Sequence, residues 1–252
     1  MAPQDSVLEH ALMMPSIKKL KGKRVVLASA SPRRKEILSR FGISPEVVPS
    51  TFEENLPVSS FEDIHEYPVA TAQHKGVEVY ERLVAEDPDN PPDLVIAADT
   101  IVLTHAAPVV GQVHESLLPP MTQEILEKPV DKEDNLRMLL DLNGGICEVV
   151  TGVVLIYPIL TAPGYGMKSI DERTLVHFAD NPPALVKAYV ESGDGLGKAG
   201  GFGVQGNGGL LISKVEGDYN NVVGFPASSF FRYLEILVEE NEEEGGDFLS
   251  ID

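Results

Sequence analysis

The chain has 252 residues, with 20 Lys+Arg against 39 Asp+Glu and a formal charge of −19. At roughly 100–200 residues per domain, that is one large domain or two closely joined lobes, able to bury about three quarters of its unfolded surface without disulfides or a structural metal. The single cysteine, Cys147, excludes a disulfide framework and a Cys-rich zinc site. The acidic balance excludes a nucleic-acid coat protein, which needs a basic face, and no apolar run approaches the ~18–20 residues of a membrane span. The first 20 residues reach Lys18 and Lys19 with no apolar stretch behind them, so a secretory signal is not expected and the default is a soluble cytoplasmic protein.

In chain order, residues 1–22 read as a flexible leader. Arg24–Ser29 is a short buried strand, and Ser31-Pro32 opens a helix with Ile37, Leu38 and Phe41 on one face and Gly42 closing it. A second helix is expected over 66–86, where Val69, Ala72, Gly76, Val79 and Leu83 recur at helical spacing. Asp93–Leu103 is nearly continuous in apolar residues, as in a strand covered on both faces. Residues 104–125 hold Pro108, Pro119 and Pro120 without periodicity and read as a surface insertion. Asp131 caps a helix ended by Gly144-Gly145. Strands follow over about 147–157 and 170–178, then a short helix from Pro182-Pro183 to Ser192, a glycine-dense loop over 193–209, a strand at 210–216 and a last helix over about 226–239. Residues 239–252 carry seven acids and no base, which reads as a solvated, disordered tail. The alternation is α/β with a mixed central sheet, because some neighbouring strands follow each other too closely for a helical crossover.

Four features carry possible chemistry. Ser29-Ala30-Ser31-Pro32-Arg33-Arg34 joins a strand to a helix and puts two arginines in the first helical turn. The macrodipole disfavours cations there, a conflict that an external anion would resolve by drawing on backbone N–H groups, serine hydroxyls and guanidinium forks together; arginines simply solvated are the ordinary alternative. Asp99-Thr100 closes the apolar part of its strand, a place where an acid could hold a metal or act as a base, or merely cap the strand. The glycine loop matches G-x-G-x-x-G twice, at 195–200 and 201–206, but a helix precedes it and a strand follows, so a dinucleotide fingerprint is rejected. Lys75 flanks its helix's apolar stripe and by itself reads as a snorkelling lysine. Glu53-Glu54 by itself reads as solvated surface, Lys128 as an exposed loop lysine, and Cys147 as buried packing.

Taken in order, LASASPRRKEIL (27–38), FEEN (52–55), ATAQHKG (70–76), AADTIV (97–102), LEKP (126–129), EVVTGVVL (148–155), KAGGFGVQG (198–206) and VEGDYNNVVGFP (215–226) resemble the Maf-like nucleoside triphosphate pyrophosphatases. The resemblance covers 23–238 as one domain and leaves out the leader, the insertion and the 239–252 tail. It implies an ITPase-like α/β fold of two lobes around a deep cleft, often a homodimer, acting on a nucleoside triphosphate rather than a nucleic acid polymer or a membrane. It also implies cleavage of the α–β phosphoanhydride, with Ser29, Ser31, Arg33, Arg34, Lys75, Lys128 and Lys198 binding substrate, Glu54 and Asp99 holding Mg2+ or Mn2+, and Asp99 taking a proton from water. Arg33, Thr100 and Gln205 fall where the dTTP/UTP branch carries its specificity residues, so dTTP, UTP and modified pyrimidine triphosphates are the expected substrates. The alternatives are a modified or deaminated purine triphosphate, or a low-turnover nucleotide-binding regulator of cell division. The family's Asp-Lys-Ala-Gly is Gly197-Lys198-Ala199-Gly200 here, and its preceding Glu-Pro is replaced by Gly193-Asp194-Gly195, so a looser loop and a less ordered Lys198 are expected.

Overall fold

The computed structural model describes residues 5–105 and 123–243. Among the described residues, seven strands form one mixed sheet in the order β2-β1-β3-β5-β6-β7, with β4 pairing β3. They are β1 (Val25–Leu27), β2 (Glu46–Val47), β3 (Leu94–His105), β4 (Ile125–Leu126), β5 (Ile146–Pro158), β6 (Tyr165–Phe178) and β7 (Ile212–Glu216). β1 is parallel to β2 and β3, whereas β3/β4 and β6/β7 are antiparallel. The helices are α1 (Pro15–Lys19), α2 (Pro32–Arg40), α3 (Glu66–Glu86), α4 (Lys132–Leu142), α5 (Pro183–Ser192), α6 (Tyr219–Val223) and α7 (Ala227–Glu243). The chain divides into two compact units, 1–99 with 151–172 and 224–252, and 100–150 with 173–223.

In the first unit, α3 lays Ala72, Val79, Tyr80 and Leu83 against Val26 of β1, Val95 and Ala97 of β3, and Val154 and Ile156 of β5. The approach is close: a Cβ on Gly76 would stand 2.7 Å from Ile156 Cδ1, and one on Gly152 would stand 2.5 Å from the Val69 nitrogen. A larger residue at Gly152 would force the α3 backbone off the sheet, whereas at Gly76 the clash falls first on the end of the Ile156 side chain. Residues 5–22 are not a loose leader. Ile17 and Leu20 are fully buried, and the Ser16 amide donates to Glu235 Oε1 of α7 at 2.9 Å. Two apolar residues one turn apart are a weak signal in sequence, and their partner helix lies more than two hundred residues away.

The second unit packs Leu139 and Leu142 of α4 and Val186, Tyr189 and Val190 of α5 around Cys147, Val149, Val176 and Phe178. Asp131 caps α4 as its sequence suggests, accepting from the Asp134 amide. Cys147 is a free thiol that burial pushes up to about 12, so it packs rather than reacts. β6 begins at Tyr165, earlier than expected, and α6 has no clear sequence signal because it is a single short turn. Most of the expected 104–125 insertion and the end of the acidic tail lie outside the described residues; Thr104 and His105 belong to β3, and Ile125 opens β4. Among the described residues, no helix is long and apolar enough to cross a membrane.

Candidate active site

The register places Asp99. Leu27, the last residue of β1, pairs with Ile96, and β3 runs on to His105. Asp99 is therefore inside its strand rather than at its end, yet it lies beyond the carboxyl end of the parallel neighbour β1. That is the edge at which open α/β sheets collect ligands, and from it the chain turns through Ser29 and Ser31 into α2.

Lys75 projects from α3 and is 7% exposed, as is Asp99. Its ammonium sits 2.8 Å from Asp99 Oδ1 and 2.7 Å from Glu54 Oε1. The reading of Lys75 as a snorkelling lysine and of Glu54 as plain surface is thus corrected: the amine is taken out of water and answered by two carboxylates, as a buried ammonium requires. Glu54 keeps 49% of its side chain exposed, so one carboxylate is enclosed and the other open.

Arg34 is 9% exposed. Its Nε donates to the Gly224 carbonyl at 3.0 Å and its Nη1 to Ser29 Oγ at 2.9 Å. Burial lowers the Arg34 guanidinium from its ordinary value; the charges of Asp99 and Glu54 oppose that, and Arg33 adds to it. Of the two arginines at this helix start, a conflict in sequence, Arg34 is therefore set against two acids. Arg33 is half-buried. Ser31 stands at the N-cap of α2 but makes no capping bond through its hydroxyl; its amide donates to Ser29 Oγ at 3.2 Å. With both of these bonds accepted, the Ser29 hydroxyl still has its proton to donate.

The second unit carries Thr100, Lys128, Lys198 and Gln205. Lys128 is exposed, and Thr100, Lys198 and Gln205 are half-buried. The glycine-rich segment runs from α5 to β7, the reverse of the strand-to-helix order a dinucleotide loop needs. It is not slack. Asn135 of α4 is fully buried and donates to the Gly201 carbonyl at 2.8 Å. The Gly203 amide donates to the Tyr189 hydroxyl at 3.2 Å, and the Gly200 amide to the Glu127 carbonyl at 3.1 Å. Burial, and then the charge of Asp194, push the Tyr189 hydroxyl up to about 12, so it remains an intact phenol.

The expectation of a less ordered Lys198 is also corrected. Its Nζ lies 2.6 Å from Asp194 Oδ1, and its stem crosses Gly203, where a Cβ would stand 3.0 Å away. The carboxylate missing at 197 is supplied four residues before the lysine. Gly197 has φ +76°, a left-handed conformation in which an aspartate would be strained. Asn135, Tyr189 and Asp194 were not singled out from sequence. Only Asp194 had a local cue, an acid shortly before a lysine in a loop that lacks the family's own aspartate.

A family profile described as "Maf-like protein" matches residues 24–237. The chain is 44% identical over 227 residues to the Homo sapiens "Probable bifunctional dTTP/UTP pyrophosphatase/methyltransferase protein", a match covering 88% of this chain and 33% of that protein. It is 36% identical over 236 residues to the Schizosaccharomyces pombe "dTTP/UTP pyrophosphatase", covering 91% of this chain and 90% of that protein. With the Deinococcus radiodurans "dTTP/UTP pyrophosphatase" it shares 38% identity over 211 residues, 84% of this chain and 91% of that one. The chain thus spans about a third of the human relative and nearly the whole of the other two.

Proposed function

This chain belongs to the Maf-like protein family, and from that membership we propose that it is a nucleoside triphosphate pyrophosphatase, hydrolysing the α–β phosphoanhydride of dTTP and UTP to the monophosphate and pyrophosphate. The observation that carries the proposal is the enclosed Lys75–Asp99 pair with Glu54 beside it, on the ligand-collecting edge of the sheet and within the electrostatic reach of Arg34. The activity for which the relatives are named supplies the reaction and the nucleobase.

Arg33, Arg34, Lys75, Lys128 and Lys198 are assigned to neutralising the triphosphate, and Ser29 and Ser31 to hydrogen-bonding its oxygens. Such catalysis is mostly positioning and charge stabilisation. Asp99 accepts the proton of the attacking water. Thr100 and Gln205, with Arg33, select the pyrimidine, since a site built on hydrogen bonds rejects a base that leaves its polar groups unpaired.

Glu54 and Asp99 fit a divalent cation. Their oxygens are hard ligands that already converge on a single cationic nitrogen, at 2.7 and 2.8 Å. Among the described residues, no three His, Cys, Asp or Glu side chains gather to hold a metal. The pair would therefore share Mg2+ or Mn2+ with water and substrate phosphates, as Mg2+ commonly requires. When bound, the ion would neutralise charge developing on the phosphate oxygens. The proposal extends to a cytoplasmic homodimer working on free nucleotides.

Pyrophosphate release with Mg2+ or Mn2+, measured across dTTP, UTP, dATP, dGTP and modified bases, tests this reading. Faster release from dTTP and UTP is expected. Equal rates on purines would reject the base assignment, and no release from any triphosphate would favour a nucleotide-binding regulator.

A further inference from the structure

Glu54 stands on a stretch without regular secondary structure; residues 51–57 are neither helix nor strand. Something must fix the path of that stretch, because an untethered segment would carry the Glu54 carboxylate through many positions, at an ordering cost of about 1–2 kcal/mol per residue. The structure shows what does so. Glu78 lies on α3 one turn beyond Lys75 and gathers four donors on one carboxylate. Ser50 Oγ and the Thr51 amide donate to Oε2 at 2.7 and 3.0 Å, and Thr51 Oγ1 and Arg82 Nε donate to Oε1 at 3.1 and 2.7 Å. Arg82 Nη2 also donates to the Pro49 carbonyl at 3.0 Å. Beyond these contacts, the Phe52 ring stacks on His74 of α3, with centroids 4.9 Å apart and planes 8° apart.

We propose that Glu78 is a positioning residue for Glu54: with Arg82 it clasps residues 49–51 to α3, so that the chain delivers the Glu54 carboxylate to Lys75 and Asp99. The inference rests on the cation-binding role assigned above to Glu54. The geometry favours it over a purely structural anchor, because Lys75, which Glu54 meets, and the clasp are on successive turns of one helix. A displacement of the segment along α3 therefore acts directly on the distance from Glu54 to Lys75. Burial alone would raise the Glu78 carboxyl, but hydrogen bonds from Arg82, Ser50 and Thr51 outweigh it and hold it down at about 2. The clasp is thus charged and closed at any neutral pH.

Mn2+ affinity of the nucleotide-free full-length protein, read by electron paramagnetic resonance, tests the inference. Wild type, Glu78→Gln, Glu54→Gln and the double variant are compared, with hydrogen exchange at the Thr51 amide followed in parallel. Glu78→Gln is expected to weaken Mn2+ on the order of tenfold, the scale of lost support behind a metal ligand, and Glu54→Gln, which removes the ligand's own charge, by at least as much. The double variant should bind no more weakly than Glu54→Gln alone, since both changes act through one carboxylate. Thr51 should exchange faster in Glu78→Gln while the α3 amides stay protected. If Glu54→Gln leaves Mn2+ affinity unchanged, the cation assignment is overturned and this inference goes with it. If Glu54→Gln weakens Mn2+ but Glu78→Gln loosens Thr51 without changing affinity, only the clasp is overturned. Additive losses in the double variant overturn it too, because Glu78 would then act by a route other than Glu54.

Discussion

Lys75 reaches its carboxylates from the middle of a 21-residue helix and is closed off from water with Asp99. Lys198 reaches its carboxylate within a glycine loop and stays half-buried, tied by Asp194, while the loop around it hangs on Asn135 and Tyr189. The first unit fixes a cation by burial on regular elements; the second does so by a local ion pair on a backbone pinned at three points. The difference teaches what each can tolerate. A buried pair is costly to break because the surviving charge is stranded, whereas a half-exposed pair is softened by solvent.

That contrast can be broken from the largest effect downward. Asp99→Asn should abolish most turnover, on the order of 10²–10⁴-fold in dTTP hydrolysis as for a lost general base, while the protein keeps its fold and some nucleotide binding; a variant with normal turnover would remove Asp99 from the mechanism. Lys75→Met should cost about 3 kcal/mol in denaturant unfolding, the low end for breaking a buried pair, because Glu54 remains half open to water. If Lys75→Met is as stable as wild type, the pair is not closed off as described. Asp194→Asn should raise KM for dTTP severalfold and change stability by no more than about 0.5 kcal/mol. Adding Gly197→Asp to that variant should not restore KM, because φ +76° strains an aspartate there; recovery would show that the loop accepts the carboxylate at either place.

The smallest effect is on pH. Glu78 is lowered from 4.5 to about 2 in the folded protein, so its stabilisation is complete above the unfolded value and fades as acid protonates the folded carboxylate. The stability gap between wild type and Glu78→Gln should be constant above pH 4.5 and close as pH falls towards 2. A gap that widened in acid would contradict the hydrogen bonds from Arg82, Ser50 and Thr51.

Regular elements were legible where local rules suffice. The spacing of Val69, Ala72, Gly76, Val79 and Leu83 marks α3 over the bounds it has, 66–86, and Asp131 announces the start of α4. The order of helix, glycine loop and strand correctly ruled out a dinucleotide fold. What sequence did not reveal depends on partners far along the chain. Lys75 lies on the edge of an apolar stripe, and nothing local says that Asp99, 24 residues on, will meet it. Ile17 and Leu20 look like leader residues until α7 covers that region. Glu78 looks like one more exposed acid on a helix, because its donors come from a segment that only the tertiary fold brings alongside. The site residues were named through family resemblance, but the clasp, the Asp194 tether and the Asn135 pin were not, because each replaces or supports a motif rather than forming part of one.

Phosphorus NMR of UTP hydrolysis by the wild-type protein tests the central claim most directly. The account predicts that UMP and pyrophosphate appear together in equal amounts, with no UDP. Accumulation of UDP with orthophosphate would place the cleavage at the wrong anhydride and contradict it.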